Sequence, residues 1–193
     1  MNYLAHFQLG WPDEGLLVGA LEGDYLKGQL RGELPEDIER GVRLHRAIDA
    51  FTDQHPQMSE LRRLFRPSLR RYAGILIDLS FDHYLSIHWE RYNDLAQSHF
   101  NRSVYNTLDN HQQHLSPPAH RMFQRMVEHD LLALYSDWET IPATAARIGG
   151  RFRRGNPFVA AAEDLDTVRL PLEKAFLDFY PELVEFCRSY QQA

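Results

Sequence analysis

Residues 75–89, ILIDLSFDHYLSIHW, are apolar on nearly every side of a helix. Such a helix is stable only when other elements cover it all round. No apolar run in the chain approaches the ~20 residues that span a bilayer, so the cover must be protein. The run sits in a predicted helix from about Ser68 to Tyr92 and carries Asp78, Asp82, His83 and His88. Asp78 and Asp82 are four apart and share a face. Two carboxylates on a buried helix repel each other unless a cation or a proton intervenes, which makes this pair the strongest sequence sign of a metal.

The remaining chain supplies the cover. Nearly every segment reads at helical period and breaks at Pro or Gly. A short apolar element at 2–9 holds His6, and Asp13 is a candidate N-cap for a helix predicted over Glu14 to Leu30. Gly19, Gly23 and Gly28 flank Asp24 in that stretch; they weaken a helix but allow close backbone approach. Pro35 opens the next helix, whose acidic first turn favours its N-terminus and which the His55-Pro56 pair ends. Further helices are predicted at 59–65, 94–112, 118–137 and 141–152, and from about Leu165 to Tyr190 with a kink or cap at Pro171 and Pro181. No period-2 alternation persists long enough for a sheet. The expected fold is all-α, a single-domain helical bundle over residues 1–193.

Composition narrows the function. One cysteine, Cys187, excludes an internal disulfide framework and a thiolate metal site and suits a reducing compartment. The N-terminal MNYLAHFQLGWPDE lacks the basic region of a secretory signal, so the cytoplasm is expected. A formal charge of −6 argues against nucleic acid as a partner. Positive charge is nevertheless clustered: Arg62, Arg63, Arg66, Arg70 and Arg71 in one group, Arg147, Arg151, Arg153 and Arg154 in another. Either group reads as a solvated face or as a surface for acidic partners. Trp11, Tyr135 and Trp138 offer a candidate exposed interface.

Ionisable groups in apolar settings carry the chemistry. GVRLHRAIDAFTDQHP (41–56) places His45, Asp49 and Asp53 in one row at four-residue spacing. With His6, Asp24, Asp78, Asp82 and His83 they occupy four separate segments. Imidazole and carboxylate ligands without thiolate suit Mn²⁺, Fe²⁺, Mg²⁺ or Zn²⁺, and the carboxylate excess favours harder ions. Such a site activates water and clamps phosphoryl oxygens, and Arg46 is placed to neutralise a phosphate oxygen. For each pair alone the competing reading is a satisfied hydrogen bond. The two readings separate a metal-dependent hydrolase from a stable core with internal polar pairs.

The segments NYLAH (2–6), GD (23–24), HRAIDAFTD (45–53), LSFDHYLSIHW (79–89) and FYPEL (179–183) resemble the acyl carrier protein phosphodiesterase family. The resemblance spans nearly the whole chain. It implies a divergent HD-type phosphohydrolase fold and hydrolysis of the phosphodiester joining 4′-phosphopantetheine to a serine of holo-acyl carrier protein. It also implies a divalent metal, Mn²⁺ first, and a metal-ligand pool of His6, Asp24, His45, Asp49, Asp78 and Asp82, with Asp24 tied to activity. The adjacent His-Asp dyad that names the superfamily is missing from the metal-rich helices; the nearest pair is the inverted Asp82-His83. His83 is therefore the candidate general acid for the departing serine oxygen. The acidic carrier gives the group from Arg62 to Arg71 a role as docking surface, with Arg151, Arg153 and Arg154 as second choice. Competing readings are an HD-type nucleotide or small phosphate-ester hydrolase and a non-catalytic carrier-binding module.

Overall fold

The computed structural model describes residues 1–153 and 155–192. Helices run over α1 (Tyr3–Gly10), α2 (Glu14–Glu22), α3 (Glu36–Gln54), α4 (Pro56–Leu64), α5 (Ala73–Ile87), α6 (Gln97–Asn110), α7 (Pro117–His129), α8 (Leu131–Leu134), α9 (Thr140–Gly149) and α10 (Ala161–Gln192). Short 3₁₀ turns flank α5 at Arg70–Tyr72 and Trp89–Arg91. The described residues contain no strand, so the fold is all-α.

Helix α5 is the axis the sequence demands. Leu76, Ile77, Leu79, Phe81, Tyr84 and Leu85 are all buried in one apolar core that draws on α1 through α10. Phe81 and Tyr84 meet Phe176 of α10 edge-on and tilted, arrangements that aromatic pairs prefer. Helix α10 passes unbroken through Pro171 and Pro181, where the sequence suggested a kink or cap. Both prolines face solvent, while Leu172, Phe176, Phe179 and Leu183 are buried on the other side. That packing outweighs the hydrogen bonds a proline removes.

Asp13 caps α2 as expected, accepting from the Leu16 N–H at 3.0 Å. Helix α2 stops at Glu22 rather than Leu30. The Gly23 N–H closes its last turn on the Gly19 carbonyl, and further on Gly28 and Gly32 have φ of +80° and +75°, left-handed values that favour glycine and do not continue a helix. Residues 23–35 instead form a loop over the start of α3. Pro35 is the N-cap residue of α3, and α4 begins at Pro56, three residues earlier than its apolar pattern suggests. Tyr135 and Trp138, expected at the surface, are 8 % and 5 % exposed: Trp138 packs on His83 and Tyr84 of α5 and the Tyr135 carbonyl meets His83.

Glycines set how closely α2 and α3 approach. A Cβ on Gly19 would lie 2.3 Å from the Ile38 carbonyl oxygen and 2.5 Å from Gly41 Cα. A Cβ on Gly23 would lie 2.3 Å from His45 Cγ. Gly15, Gly19 and Gly23, each four apart, thus form a flat stripe against which α3 lies, and His45 rests on its last member.

Candidate metal centre

Three elements converge where that stripe ends. Helix α1 presents His6, α3 presents His45 and Asp49 one turn apart, and the residue after Gly23 is Asp24. His6 Nε2 lies 3.2 Å from Asp49 Oδ1, and His45 Nε2 lies 3.3 Å from Asp49 Oδ2 and 3.7 Å from Asp24 Oδ1. The imidazoles stack with centroids 4.0 Å apart and planes 16° from parallel. A ligand atom from each of His6, His45 and Asp49 falls within 4.8 Å of the others.

The electrostatics keep His6 and Asp49 in their ligating forms. Burial and the neighbouring His45 lower the His6 imidazole to about 4, against the opposing pull of Asp49. Burial pushes Asp49 up, but hydrogen bonds from His45 and His6 outweigh it and hold the carboxylate well below its usual range. A divalent ion needs neutral imidazole and ionised carboxylate. Among the described residues the buried Nδ1 atoms of His6 and His45 have no hydrogen-bond partner, while both Nε2 atoms turn to the carboxylate. The donor set fits a hard-to-intermediate divalent cation.

A cavity of about 290 Å³ opens beside the cluster, lined by Asp24, Asp49, Asp53 and Asp78 with Asn2, Thr52 and Ile148. The α-ammonium of Met1 donates to Asp78 Oδ1 at 2.9 Å and stands 4.0 Å from Asp49 Oδ1. Arg62 donates to Asp53 Oδ1 at 2.8 Å. Even with these two partners, the cavity keeps a surplus of negative charge suited to a cation.

Other expected site residues lie elsewhere or have other partners. Asp82 is fully buried and accepts the backbone N–H groups of Asn2, Leu4 and Ala5 at 3.2, 2.7 and 3.4 Å. The Asp78/Asp82 pair, taken from sequence as a sign of metal, is thus resolved by an ammonium and by the N-terminus of α1. Asp78 remains on the cavity wall; Asp82 does not reach it. His83, one position on, points about 100° away toward the Tyr135 carbonyl, 2.8 Å from Nδ1, and lies edge-on to Trp138 at 5.1 Å. It therefore does not face the cavity as a general acid would. Arg46 donates to the carbonyls of Gly28 and Leu26 at 2.8 and 3.0 Å, so it braces the loop that carries Asp24.

The arginine group is only partly free. Arg66 pairs with Asp164 at 3.3 Å, Arg70 donates to the Phe65 and Arg63 carbonyls, and Arg71 lies over the Tyr72 ring. Arg62, Arg70 and Arg71 line a shallow cavity that meets the acidic one at Ile75 and Asp78. Arg147 and Arg151 line a different cleft, Arg153 is exposed, and Arg154 lies outside the described residues. Tyr3, Tyr25 and Ile148 also line these cavities, although none has a ligand type or spacing that marks it in the sequence. Tyr3 and Tyr25 place their hydroxyls 3.3 Å apart beside Asp24; Tyr3 lies inside the NYLAH segment and Tyr25 directly follows GD, which was the available signal.

The sequence profile of the family described as acyl carrier protein phosphodiesterase matches residues 1–183. A relative of that name from Klebsiella pneumoniae (strain 342) is 31% identical over 192 residues, 99% of this chain and 100% of its own. Relatives of the same name from Photorhabdus laumondii and Escherichia coli O45:K1 are 29% and 31% identical, covering 96% of this chain and 94% and 96% of theirs. No solved structure gives a significant match.

Proposed function

Since the chain belongs to the acyl carrier protein phosphodiesterase family, we propose that it hydrolyses the phosphodiester between 4′-phosphopantetheine and a serine of holo-acyl carrier protein. The products are apo-acyl carrier protein and 4′-phosphopantetheine. The observation that carries this reading is the meeting of His6, His45 and Asp49 within 4.8 Å on the wall of an acidic cavity. We propose these three as the primary ligands of a divalent ion, Mn²⁺ first, with Asp24 and Asp78 completing the pool. When bound, such an ion would supply Lewis acidity to the phosphoryl oxygens and lower the pKa of a water.

The chain's own residues do the rest. Asp24, which lines the cavity beside His45, orients the attacking water and accepts its proton, and the departing serine oxygen takes up a proton from solvent. Its placement depends on the loop that Arg46 braces. Asp82 acts at one remove: by capping α1 it fixes the direction in which His6 points. Arg63, Arg70 and Arg71 present the exposed charge that meets an acidic carrier protein, while Arg62 and Arg66 are offset by Asp53 and Asp164. The whole of residues 1–193 acts as one HD-like domain in the cytoplasm. Among the described residues no helix is long and apolar enough to cross a membrane.

Intact mass of holo-acyl carrier protein after incubation tests the reading. Loss of the phosphopantetheine mass with Mn²⁺, and none with chelator or with Asp24→Ala or Asp49→Ala, is the expected result. No loss from a folded, metal-loaded sample overturns it.

A further inference from the structure

A second cleft, of about 240 Å³, adjoins the acidic cavity and shares Asn2 and Ile148 with it. Its walls are of a different kind. Leu131, Leu134 and Met122 supply apolar surface, Tyr3, Tyr25 and Thr144 supply hydroxyls, and no carboxylate lines it. Its charged members are Arg125, Arg147 and Arg151. Among the described residues Arg125 and Arg151 make no hydrogen bond or ion pair, and Arg147 reaches only Thr144 Oγ1 at 3.3 Å. Pockets that hold a ligand by shape carry a mostly apolar lining with a few placed polar groups.

Three cavities therefore stand in a row. The arginine-lined one meets the acidic one at Ile75 and Asp78, and the acidic one meets this cleft at Asn2 and Ile148. A phosphodiester has two substituents, which must leave the phosphorus in different directions. Resting on the reaction proposed above, we infer that the cleft seats the pantetheine arm, while the carrier serine leaves on the Arg62–Arg71 side. The arm is uncharged, branched by two methyl groups near the phosphate, and carries two amides. Its methyls suit the apolar wall, its amide carbonyls accept from the arginines, and its amide N–H groups donate to tyrosine and threonine hydroxyls. The arm carries no cation that would call for a carboxylate, and among the described residues none lines the cleft. The direction of the substrate is thus set by the chemistry of the two flanking cavities.

The test is calorimetric titration of pantetheine, which has the arm but no phosphate, into the full-length protein and into Thr144→Trp and Leu134→Trp. Neither residue is fully buried, so the two variants fill the cleft by independent routes without entering the core. Saturable binding to the unsubstituted protein, lost in both variants with Mn²⁺ uptake and melting temperature unchanged, is expected. In turnover of holo-acyl carrier protein the same variants should raise KM roughly tenfold with kcat within about twofold, the pattern of lost uniform binding. Hydrolysis with pantetheine bound equally by all three proteins, or by none, overturns the cleft assignment and leaves the reaction standing. Pantetheine binding lost in the variants, without hydrolysis by any, overturns the reaction and supports the cleft.

Discussion

Asp82 Oδ2 accepts the Leu4 backbone N–H at 2.7 Å across 78 residues of sequence. A carboxylate inside the central helix thereby caps another helix whose own N-cap residue, Asn2, makes no side-chain cap bond. Since α1 carries His6, the bond links the buried axis of the fold to the candidate metal centre.

Burial raises the Asp82 carboxyl to about 7, despite the Met1 ammonium and the three backbone donors. The native state therefore holds a proton that the unfolded chain releases near its ordinary value of 3.8. The resulting stabilisation is fully present below that value and is lost as pH rises through about 7. Asp82→Asn removes this slope. Denaturant melts across pH 4 to 8 should show the variant gaining on the parent by up to ~4 kcal/mol. A difference independent of pH would show that Asp82 is ionised throughout.

Gly23→Ala tests the glycine stripe at its functional end. The new Cβ would lie 2.3 Å from His45 Cγ and 2.5 Å from Cδ2, so the imidazole must leave its place over Asp49. Loss of ligand support of this kind costs about 10- to 100-fold in metal affinity. Manganese titration should show that loss, while Gly150→Ala, whose Cβ meets nothing closer than 3.6 Å, should leave affinity unchanged.

The helical layout was legible because each cue is local. Period, the Asp13 cap and the His55-Pro56 break all act within a turn or two. The His45/Asp49 pair followed for the same reason, since one helix fixes both. The fate of Asp78 and Asp82 was not legible. Their partners are the Met1 ammonium and the start of α1, about 80 residues away in the chain, and spacing within α5 carries no information about either. The partners of His83 and Arg46 were not legible either: the Tyr135 carbonyl and the carbonyls of Leu26 and Gly28 lie 52, 20 and 18 residues away in the chain. Tyr135 and Trp138 looked exposed because their segment is short and polar at its edges, yet both are buried, Trp138 against His83 and Tyr84 of α5.

Arg46 should behave as a positioning residue. Its two nitrogens bind carbonyls 26 and 28 in the loop that begins beside Asp24. Arg46→Met keeps the stem and removes both bonds; Arg46→Lys offers a point charge in place of a planar fork. The expected result is a fall in kcat of about tenfold for Met and less for Lys, with KM little changed. Faster proteolysis within residues 24–32 should accompany it. Unchanged kcat with a large rise in KM would instead place Arg46 on the substrate.

Docking of an acidic carrier depends on cations that no carboxylate on this chain already offsets. Arg62 and Arg66 are paired with Asp53 and Asp164, so reversing them disturbs the fold as well as the field. Arg63 and Arg71 are exposed and pair with no carboxylate among the described residues. Arg63→Glu combined with Arg71→Glu should therefore act on association alone. Steering between opposite charges fades as salt shortens the screening length to ~8 Å at physiological ionic strength. The double variant should raise KM for holo-acyl carrier protein about tenfold at low salt and flatten its salt dependence. Manganese affinity and melting temperature should stay as in the parent. If KM keeps its salt dependence, the carrier docks elsewhere, and Arg125, Arg147 and Arg151 at the opposite cleft become the surface to reverse next.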